Sequence, residues 1–280
     1  MKIIMIVLSG VFSVVQCFSQ TLDVLSTCVV FLEQKNIETR KIDNIDCEMF
    51  YRKPGEKDYK PLYESISGSG FFLADGKILY LATAKHVALA LKPDANVMLR
   101  MDNDRPLTLP LSHLTGGVKK YKWYMSEKAD VAILPLDPPP DAIPYLQRHF
   151  VSTEQIEIEL KSPERELTLI VVGFPLRIGI GEYFSPVSKE AKAASGLQTI
   201  GKQTIFLLDS PSAEGFSGGP VFISTGFQAI DSGIRIGGKS ICVGIVTATI
   251  SDNTGGKFAA VVPSYYLHEL ISQVNSNRVP

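Results

Sequence analysis

The chain lacks an excess of charge of either sign: 28 lysines and arginines stand against 29 aspartates and glutamates, for a formal net charge of −1. No basic stripe gathers along any stretch, and short pairs such as Lys119-Lys120 read as solvated surface, so nucleic acid is not an expected partner. Cysteine is scarce, with four in 280 residues. No pair of them has zinc-ligand spacing, and the reading calls for no metal and no cofactor. Repeats of the solenoid type and low-complexity tracts are missing, which excludes a stacked-repeat architecture. What remains is ordinary globular material, 45% hydrophobic and 20% charged, enough to bury a core as one or two domains.

Residues 1–19 read as a targeting segment rather than fold. Lys2 supplies a thin positive start, Ile3 to Val15 is apolar apart from Ser9, Gly10 and Ser13, and Cys17-Phe18-Ser19 puts small residues where a signal peptidase reads them. The expectation is cleavage after Ser19 and export, either to a periplasm or out of the cell, with no stable membrane span left behind. An uncleaved anchor needs a longer run, of about 20 residues, and Val14-Val15-Gln16 before Cys17 is a poor lipobox. Cleavage leaves Cys28, Cys47 and Cys242, an odd count with at least one thiol unpaired or intermolecular. Cys28 and Cys47 are candidates to close a loop. Cys242, inside the apolar run Ile241 to Val246, reads as a buried free thiol.

Short apolar runs rich in β-branched residues follow one another between Gly and Pro turns, which argues for an all-β architecture. Strand candidates are Cys28 to Leu32, Gly70 to Leu73, Ile78 to Thr83, Val97 to Met101 and Val131 to Leu134. The second and third flank Asp75-Gly76, a hairpin signal. Pro138-Pro139-Pro140 cannot sit in a central strand and reads as a linker. Beyond it come Leu167 to Val172, Thr204 to Leu208, Pro220 to Ile223 and Cys242 to Ile250. Thr153 to Leu160 is open between helix and strand. Tyr266, Leu267, Leu270, Ile271 and Val274 recur at helical spacing, so Pro263 to Val274 reads as a terminal helix that starts on Pro263 or Ser264.

Three segments carry chemistry: Leu81-Ala82-Thr83-Ala84-Lys85-His86-Val87, Asp130-Val131-Ala132-Ile133-Leu134 and Glu214-Gly215-Phe216-Ser217-Gly218-Gly219-Pro220. A serine hydroxyl needs a base to take its proton as it attacks. An imidazole titrates in the right range to accept that proton and return it to a leaving amine. A carboxylate fixes the ring's tautomer and stabilises the imidazolium. Gly215 frees the backbone to turn, so that the Gly215 and Ser217 N–H groups converge on a developing oxyanion. Each residue alone is better explained as a turn serine, a strand-end histidine or a strand-initiating aspartate. The three together, in that order, point to catalysis. Among Asp102, Asp104, Asp130, Asp137 and Asp141, only Asp130 leads directly into an apolar strand.

These motifs resemble those of the trypsin-like serine peptidases. Thr83-Ala84-Lys85-His86-Val87 is similar to their histidine motif, Asp130-Val131-Ala132-Ile133-Leu134 to their aspartate motif, and Gly215-Phe216-Ser217-Gly218-Gly219-Pro220 to their nucleophile motif. Gly68-Ser69-Gly70-Phe71, Asp209 and Phe258-Ala259-Ala260-Val261-Val262-Pro263-Ser264 are closer to the bacterial HtrA-like branch. The resemblance covers roughly Cys28 to Val274. It implies an all-β fold of two six-stranded antiparallel β-barrels with a C-terminal helix. Barrel 1 would run over about 22–137, a linker over 138–143, barrel 2 over about 144–262 and the helix over 263–276. His86 and Asp130 would lie on the first barrel and Ser217 on the second. Val246-Thr247-Ala248 would be the edge strand that pairs with an extended protein or peptide substrate.

The chain departs from the pattern in places. Phe216 replaces the acidic or amide residue before the nucleophile, which speaks against activation by a freed N-terminus. Pro211 stands where trypsin-type enzymes carry a pocket-floor aspartate, so a small or apolar residue before the cut is expected rather than Lys or Arg. No PDZ-like domain is expected after the terminal helix. Two rival readings stand beside the peptidase. One is a catalytically silent binding module on the same fold. The other is an α/β-hydrolase with Ser217 in a G-x-S-x-G elbow, Asp231 or Asp252 as its acid and His268 as its base, which would need a helix where Pro220 to Ile223 reads as strand.

Overall fold

The computed structural model describes residues 25–42, 45–52, 58–101, 103–146, 150–224, 227–230, 233–236 and 240–276. The targeting segment, Cys17, Asp102, His149 and Asp231 lie outside the described residues.

Two antiparallel sheets form the body. The first contains β1 (Val29–Ile37), β2 (Tyr63–Asp75), β3 (Ile78–Thr83), β4 (Asn96–Arg100), β5 (Pro106–Pro110), β6 (Tyr124–Met125) and β7 (Ala132–Leu136), in the spatial order β6-β7-β3-β2-β1-β4-β5. A two-residue strand, β8 (Val151–Ser152), returns from beyond the proline stretch and pairs parallel with Leu73 and Ala74. The second sheet contains β9 (Leu169–Gly173), β10 (Val187–Ala191), β11 (Gln198–Ile200), β12 (Gln203–Leu208), β13 (Pro220–Ile223), β14 (Cys242–Ser251) and β15 (Lys257–Pro263), in the order β10-β9-β13-β14-β15-β12-β11. A bridge from Ala193, just past β10, to Leu208 of β12 brings the two ends together. That contact closes six of the strands into a barrel, with β11 as a hairpin extension.

The strands are continuous apolar runs because both of their faces are buried. Val30, Leu32, Phe72, Leu81, Val97, Leu99 and Leu134 fill the inside of the first barrel. Their neighbours Val29, Phe31, Phe71, Leu73, Tyr80 and Ile133 point the other way. In the second barrel Leu169, Val171, Phe206, Leu208, Val221 and Val261 point inward. Ile170, Val172, Phe222, Ile245 and Val262 meet the outward set of the first barrel in one shared layer. Alternation by two thus separates two interiors rather than core from solvent. The C-terminal helix α2 (Tyr265–Ser276) lays Tyr266, Leu267, Leu270, Ile271 and Val274 on that layer. Its last turn is pinned by Tyr80 Oη donating to Asn275 Oδ1 at 2.7 Å and Asn275 Nδ2 donating to Asp75 Oδ2 at 2.6 Å.

The Asp75-Gly76 hairpin forms, with Asp75 opposite Ile78 and Gly76 at φ 57°. Thr153 to Leu160 resolves into one 3₁₀ turn, Thr153–Gln155, and irregular chain beyond it. Of the two expected starts of the terminal helix, Ser264 holds the N-cap position, its carbonyl accepting from the Leu267 and His268 N–H groups at 2.9 and 3.2 Å, although its side chain caps nothing. Pro263 ends β15 opposite Gly244. Ser264 turns its hydroxyl to the Glu157 and Cys242 carbonyls, at 2.9 Å each, tying three segments together. Cys28 and Cys47 are not bonded to each other. Cys28 is buried in the layer between the barrels and donates its thiol to Leu25 O, whereas Cys47 lies on an outlying ribbon, Ile45–Glu48 paired with Thr39–Ile42. Among the described residues no helix is long and apolar enough to cross a membrane.

Candidate active site

Register brings the first two candidate residues together. Ala132 of β7 pairs with Thr83 of β3 in antiparallel sense, so the chain just before one strand meets the chain just after the other. After Thr83 the backbone turns into a short helix, α1 (Lys85–Ala90), which carries His86 in its first turn. This helix is too short to show periodicity in sequence. Its N-cap, Ala84, offers no side-chain acceptor, and first-turn N–H groups have no partner within a helix. Asp130 supplies one. Its Oδ1 accepts from the His86 backbone N–H at 2.9 Å, and its Oδ2 lies 2.7 Å from His86 Nδ1. A carboxylate at a helix N-terminus also meets the positive end of the helix dipole. Asp130 is itself shaped by a tight turn, in which Ser126 Oγ accepts from the Lys128 and Ala129 N–H groups at 3.2 Å. Lys85 Nζ reaches the Ser126 carbonyl at 2.8 Å.

The other candidate carboxylates serve elsewhere. Asp104 pairs with Arg100, Asp137 with Lys120 and Asp141 with His113. Asp252 shapes its own turn through Thr254 and Gly256, and those bonds hold its carboxyl below the usual range. His268 sits on α2 in a surface depression with Ile158, Tyr265 and Glu269.

Ser217 arrives from the second barrel, in the turn before β13. Two features fix that turn. Phe216 donates to the Ala213 carbonyl at 3.1 Å, and Gly219 to the Phe216 carbonyl at 2.8 Å. Gly215 has φ 94°, and a Cβ there would lie 2.3 Å from Phe174 O. Gly218 has φ 88°, and a Cβ there would lie 2.0 Å from Ser69 O and 2.2 Å from Thr83 Oγ1. Both positions therefore require glycine. Among the described residues the N–H groups of Gly215 and Ser217 have no acceptor. The Glu214 carbonyl, by contrast, is taken by the Leu176 N–H at 2.7 Å. The Phe216 side chain points into the second barrel, with the Lys189 ammonium 5.3 Å from its ring centre.

A buried residue that the sequence motifs did not single out joins the two halves. Ser69 on β2 is fully buried. Its N–H donates to Ser217 O at 2.8 Å, and its Oγ donates to Gly215 O at 2.6 Å. The same Oγ accepts from Phe174 N–H at 2.9 Å, and Ser69 O accepts from Thr83 Oγ1 at 2.7 Å. Thr83 is likewise fully buried, three residues before His86. The serine turn is thus docked on the strand end that carries the histidine. The signal in the sequence is the run Gly68-Ser69-Gly70-Phe71, which carried the family resemblance but gave Ser69 no role. A Cβ at Gly68 would meet Val87 and Ser217 O at 3.1 Å or less.

Of the expected substrate strand, Val246 spends both backbone groups on the serine turn: its carbonyl accepts from Gly218 at 2.8 Å and its N–H donates to Gly219 O at 3.0 Å. A bulge follows, between Val246 and Ala248. Thr247 is buried, and its carbonyl accepts from Ser217 Oγ at 3.3 Å. From Thr247 onward β14 pairs only with β15 among the described residues, so Thr247 and the exposed Ala248 stand on a free edge. Pro211 is exposed and its carbonyl accepts from Lys189 Nζ. It lines a surface depression with Thr168, Lys192 and Asp209. The α/β-hydrolase arrangement is excluded by β13, an antiparallel strand that starts three residues after Ser217.

No protein-family model and no curated protein sequence matches the chain. Solved structures do. Two structures of the HtrA-type protease AlgW with a decapeptide, one a serine-to-alanine variant, superpose with TM-scores of 0.56 and 0.51. Both are 14% identical, over 92% of this chain and 67% of theirs. An inactive form of Rv3671c from M. tuberculosis H37Rv is also 14% identical, over 93% of this chain and 92% of its own, with a TM-score of 0.42. The likeness to AlgW is one of fold: the double β-barrel of trypsin-like serine proteases.

Proposed function

We propose that the protein is a serine endopeptidase in which Ser217 is the nucleophile, His86 the general base and Asp130 the group that orients it. The observation that carries this reading is the double grip of Asp130 on His86, through ring and backbone together. Holding Nδ1 on a carboxylate assigns the proton to that nitrogen and leaves Nε2 with a lone pair, the tautomer a base needs. Ser217 Oγ gives its proton to Nε2 as it bonds to the scissile carbonyl carbon. The Gly215 and Ser217 N–H groups receive the negative charge on the carbonyl oxygen. The C–N bond then breaks, the proton passes from Nε2 to the departing amine, and water releases the acyl group by the same steps reversed.

The substrate backbone lies along the free edge of β14 from Thr247 to Ala248, as an added strand. Protein or peptide substrates fit this edge, and AlgW is a structure with a decapeptide. Pro211 in place of a charge suits a small or apolar residue before the cut. Residues 1–19 support export, periplasmic or secreted.

One observation favours the silent-module reading instead. The hydrogen bond of Ser217 Oγ goes to Thr247 O, at 3.3 Å, rather than to His86. Catalytic hydrogen bonds are often loose before substrate binds, and the bond is itself long. Labelling with a serine-directed fluorophosphonate separates the two readings. The peptidase reading expects one label per chain, on Ser217, abolished by Ser217→Ala. An unlabelled native chain sinks it.

A further inference from the structure

The loop after β9 carries two consecutive non-glycine residues in left-handed backbone, Leu176 at φ 51° and Arg177 at φ 62°. Such conformations persist only where the surroundings over-determine them. Arg177 crosses to the first barrel and donates to Glu33 Oε1 on β1 at 2.5 Å. Its guanidinium lies 5.4 Å from the centre of the Phe31 ring. Phe31 in turn meets Phe174 edge-on, with centroids 5.8 Å apart. Leu176 donates its N–H to the Glu214 carbonyl. Glu33 is fully buried. Its Oε2 makes no hydrogen bond among the described residues and has the Lys35 ammonium at 3.5 Å. A buried carboxylate held this sparsely is a poor source of stability, since an apolar pair of similar volume does as well. Its position between the barrels, bonded to Arg177 of a strained turn that touches the serine loop, gives it another use.

Glu214 C=O and Gly215 N–H belong to one planar trans peptide unit and point in opposite directions. Tying the carbonyl to Leu176 therefore aims the Gly215 N–H away from Leu176, where it has no acceptor among the described residues. We infer that Glu33 and Arg177 are positioning residues. Their ion pair latches the left-handed Leu176–Arg177 turn across the two barrels, and the Leu176 N–H then holds the 214–215 peptide in the orientation that offers a donor to the oxyanion. Without the latch the turn relaxes to ordinary backbone, the Glu214 carbonyl loses its partner, and the peptide rotates. This inference rests on the serine-peptidase reading and deepens it.

The test compares the full chain with Glu33→Gln and Leu176→Pro. The first removes the charge with little change of shape. The second removes both the N–H and the left-handed φ at a position that is 65% exposed. Three quantities are measured: kcat and KM on a quenched fluorogenic peptide selected from a randomised library, the fluorophosphonate labelling rate, and the affinity of a peptide boronate, which binds serine as a tetrahedral oxyanion. Both variants should lower kcat and boronate affinity together by about 10–100-fold, with KM within about threefold, the pattern of an interaction made only in the transition state. Adding Leu176→Gly to Glu33→Gln should return part of the loss, because glycine takes the left-handed backbone without strain. A merely structural role would lower the melting temperature and leave kcat per folded molecule unchanged. Wild-type kcat in folded Glu33→Gln, or a rise in KM alone, overturns the latch. Where Glu33→Gln does not fold, Leu176→Pro decides on the same readouts. An unlabelled wild type, or Ser217→Ala that still labels, refutes the parent reading and the latch with it; a labelled wild type with Glu33→Gln labelled as fast refutes the latch alone.

Discussion

Ser69 Oγ donates to the Gly215 carbonyl at 2.6 Å, from a strand of the first barrel to a turn of the second. The same oxygen accepts the Phe174 N–H, so one buried hydroxyl satisfies two backbone groups, one in the serine turn and one just past β9. Ser69→Ala leaves both groups without a partner, at about 1–3 kcal/mol for each buried group. Urea denaturation should show that loss, and fluorophosphonate labelling of the variant should slow under conditions where it is still folded. An unchanged midpoint would mean that water takes over both bonds.

Gly215→Ala should be more damaging to chemistry than to folding. The new methyl would sit 2.3 Å from Phe174 O at a φ of 94°, and the turn has to open to admit it. Labelling and peptide hydrolysis should fall by about 10²–10³, the cost of one oxyanion donor, while circular dichroism keeps the native β signature. Wild-type turnover would remove Gly215 from the proposed hole.

Asp130→Asn keeps the shape beside His86 but offers an amide where a carboxylate held the ring. The expected fall in kcat is about 10⁴, that measured for a lost orienting carboxylate in other triads. Ser217→Ala and His86→Ala should each cost on the order of 10⁶. A mild effect of His86→Ala would overturn His86 as the base.

Two thiols set an alkaline limit to stability. Burial pushes the Cys242 thiol from 9.0 up to about 12, and the Cys28 thiol rises for the same reason. Both therefore keep their protons in the folded chain after the unfolded chain has lost them. Stability is complete below pH ~9 and falls as pH rises from there toward 12, because the unfolded state then binds fewer protons. Each thiol contributes about 1 kcal/mol per pH unit in that window. Urea midpoints from pH 8 to 10.5 should fall accordingly, and Cys28→Ala with Cys242→Ala should flatten the fall. Iodoacetamide at pH 8 should spare both positions in the native protein and modify them after unfolding.

Much of this was legible in the order of residues. Apolar runs buried on both faces announce themselves, and Asp75-Gly76 fixes a hairpin by local turn chemistry. His86, Asp130 and Ser217 sit in motifs, and the register of β7 on β3 makes the first two neighbours. Other features are long-range and leave no local mark. Glu33 and Gln34 are polar residues inside a strand, and nothing nearby in sequence announces Arg177. Ser69 looks like one more small residue between glycines until its partners at Phe174, Gly215 and Ser217 are known. Helix α1 is shorter than the window that periodicity requires. Ser264 does stand at the helix start, but where a capping serine hydroxyl usually accepts, here it donates to two carbonyls from other segments. The Cys28–Cys47 bridge failed because adjacency in sequence says nothing about Cα separation.

The layer shared by the two barrels has a consequence for how the chain survives. Phe31, Phe71, Ile170, Val172 and Tyr266 are covered only when both sheets and α2 are in place. Each half is the other's shelter from water, and neither has a surface it can present alone. A single cooperative melting transition, rather than one for each half, is therefore the expected outcome. On the proposed reading the protein would be a peptidase surrounded by copies of itself, and each loosened half would be a cleavable extended chain. A structure that is whole or wholly unfolded would keep that target rare, and it would keep the proposed hydrolytic site from forming in any half-made molecule, since Asp130 and Ser217 come from opposite sides of the shared layer.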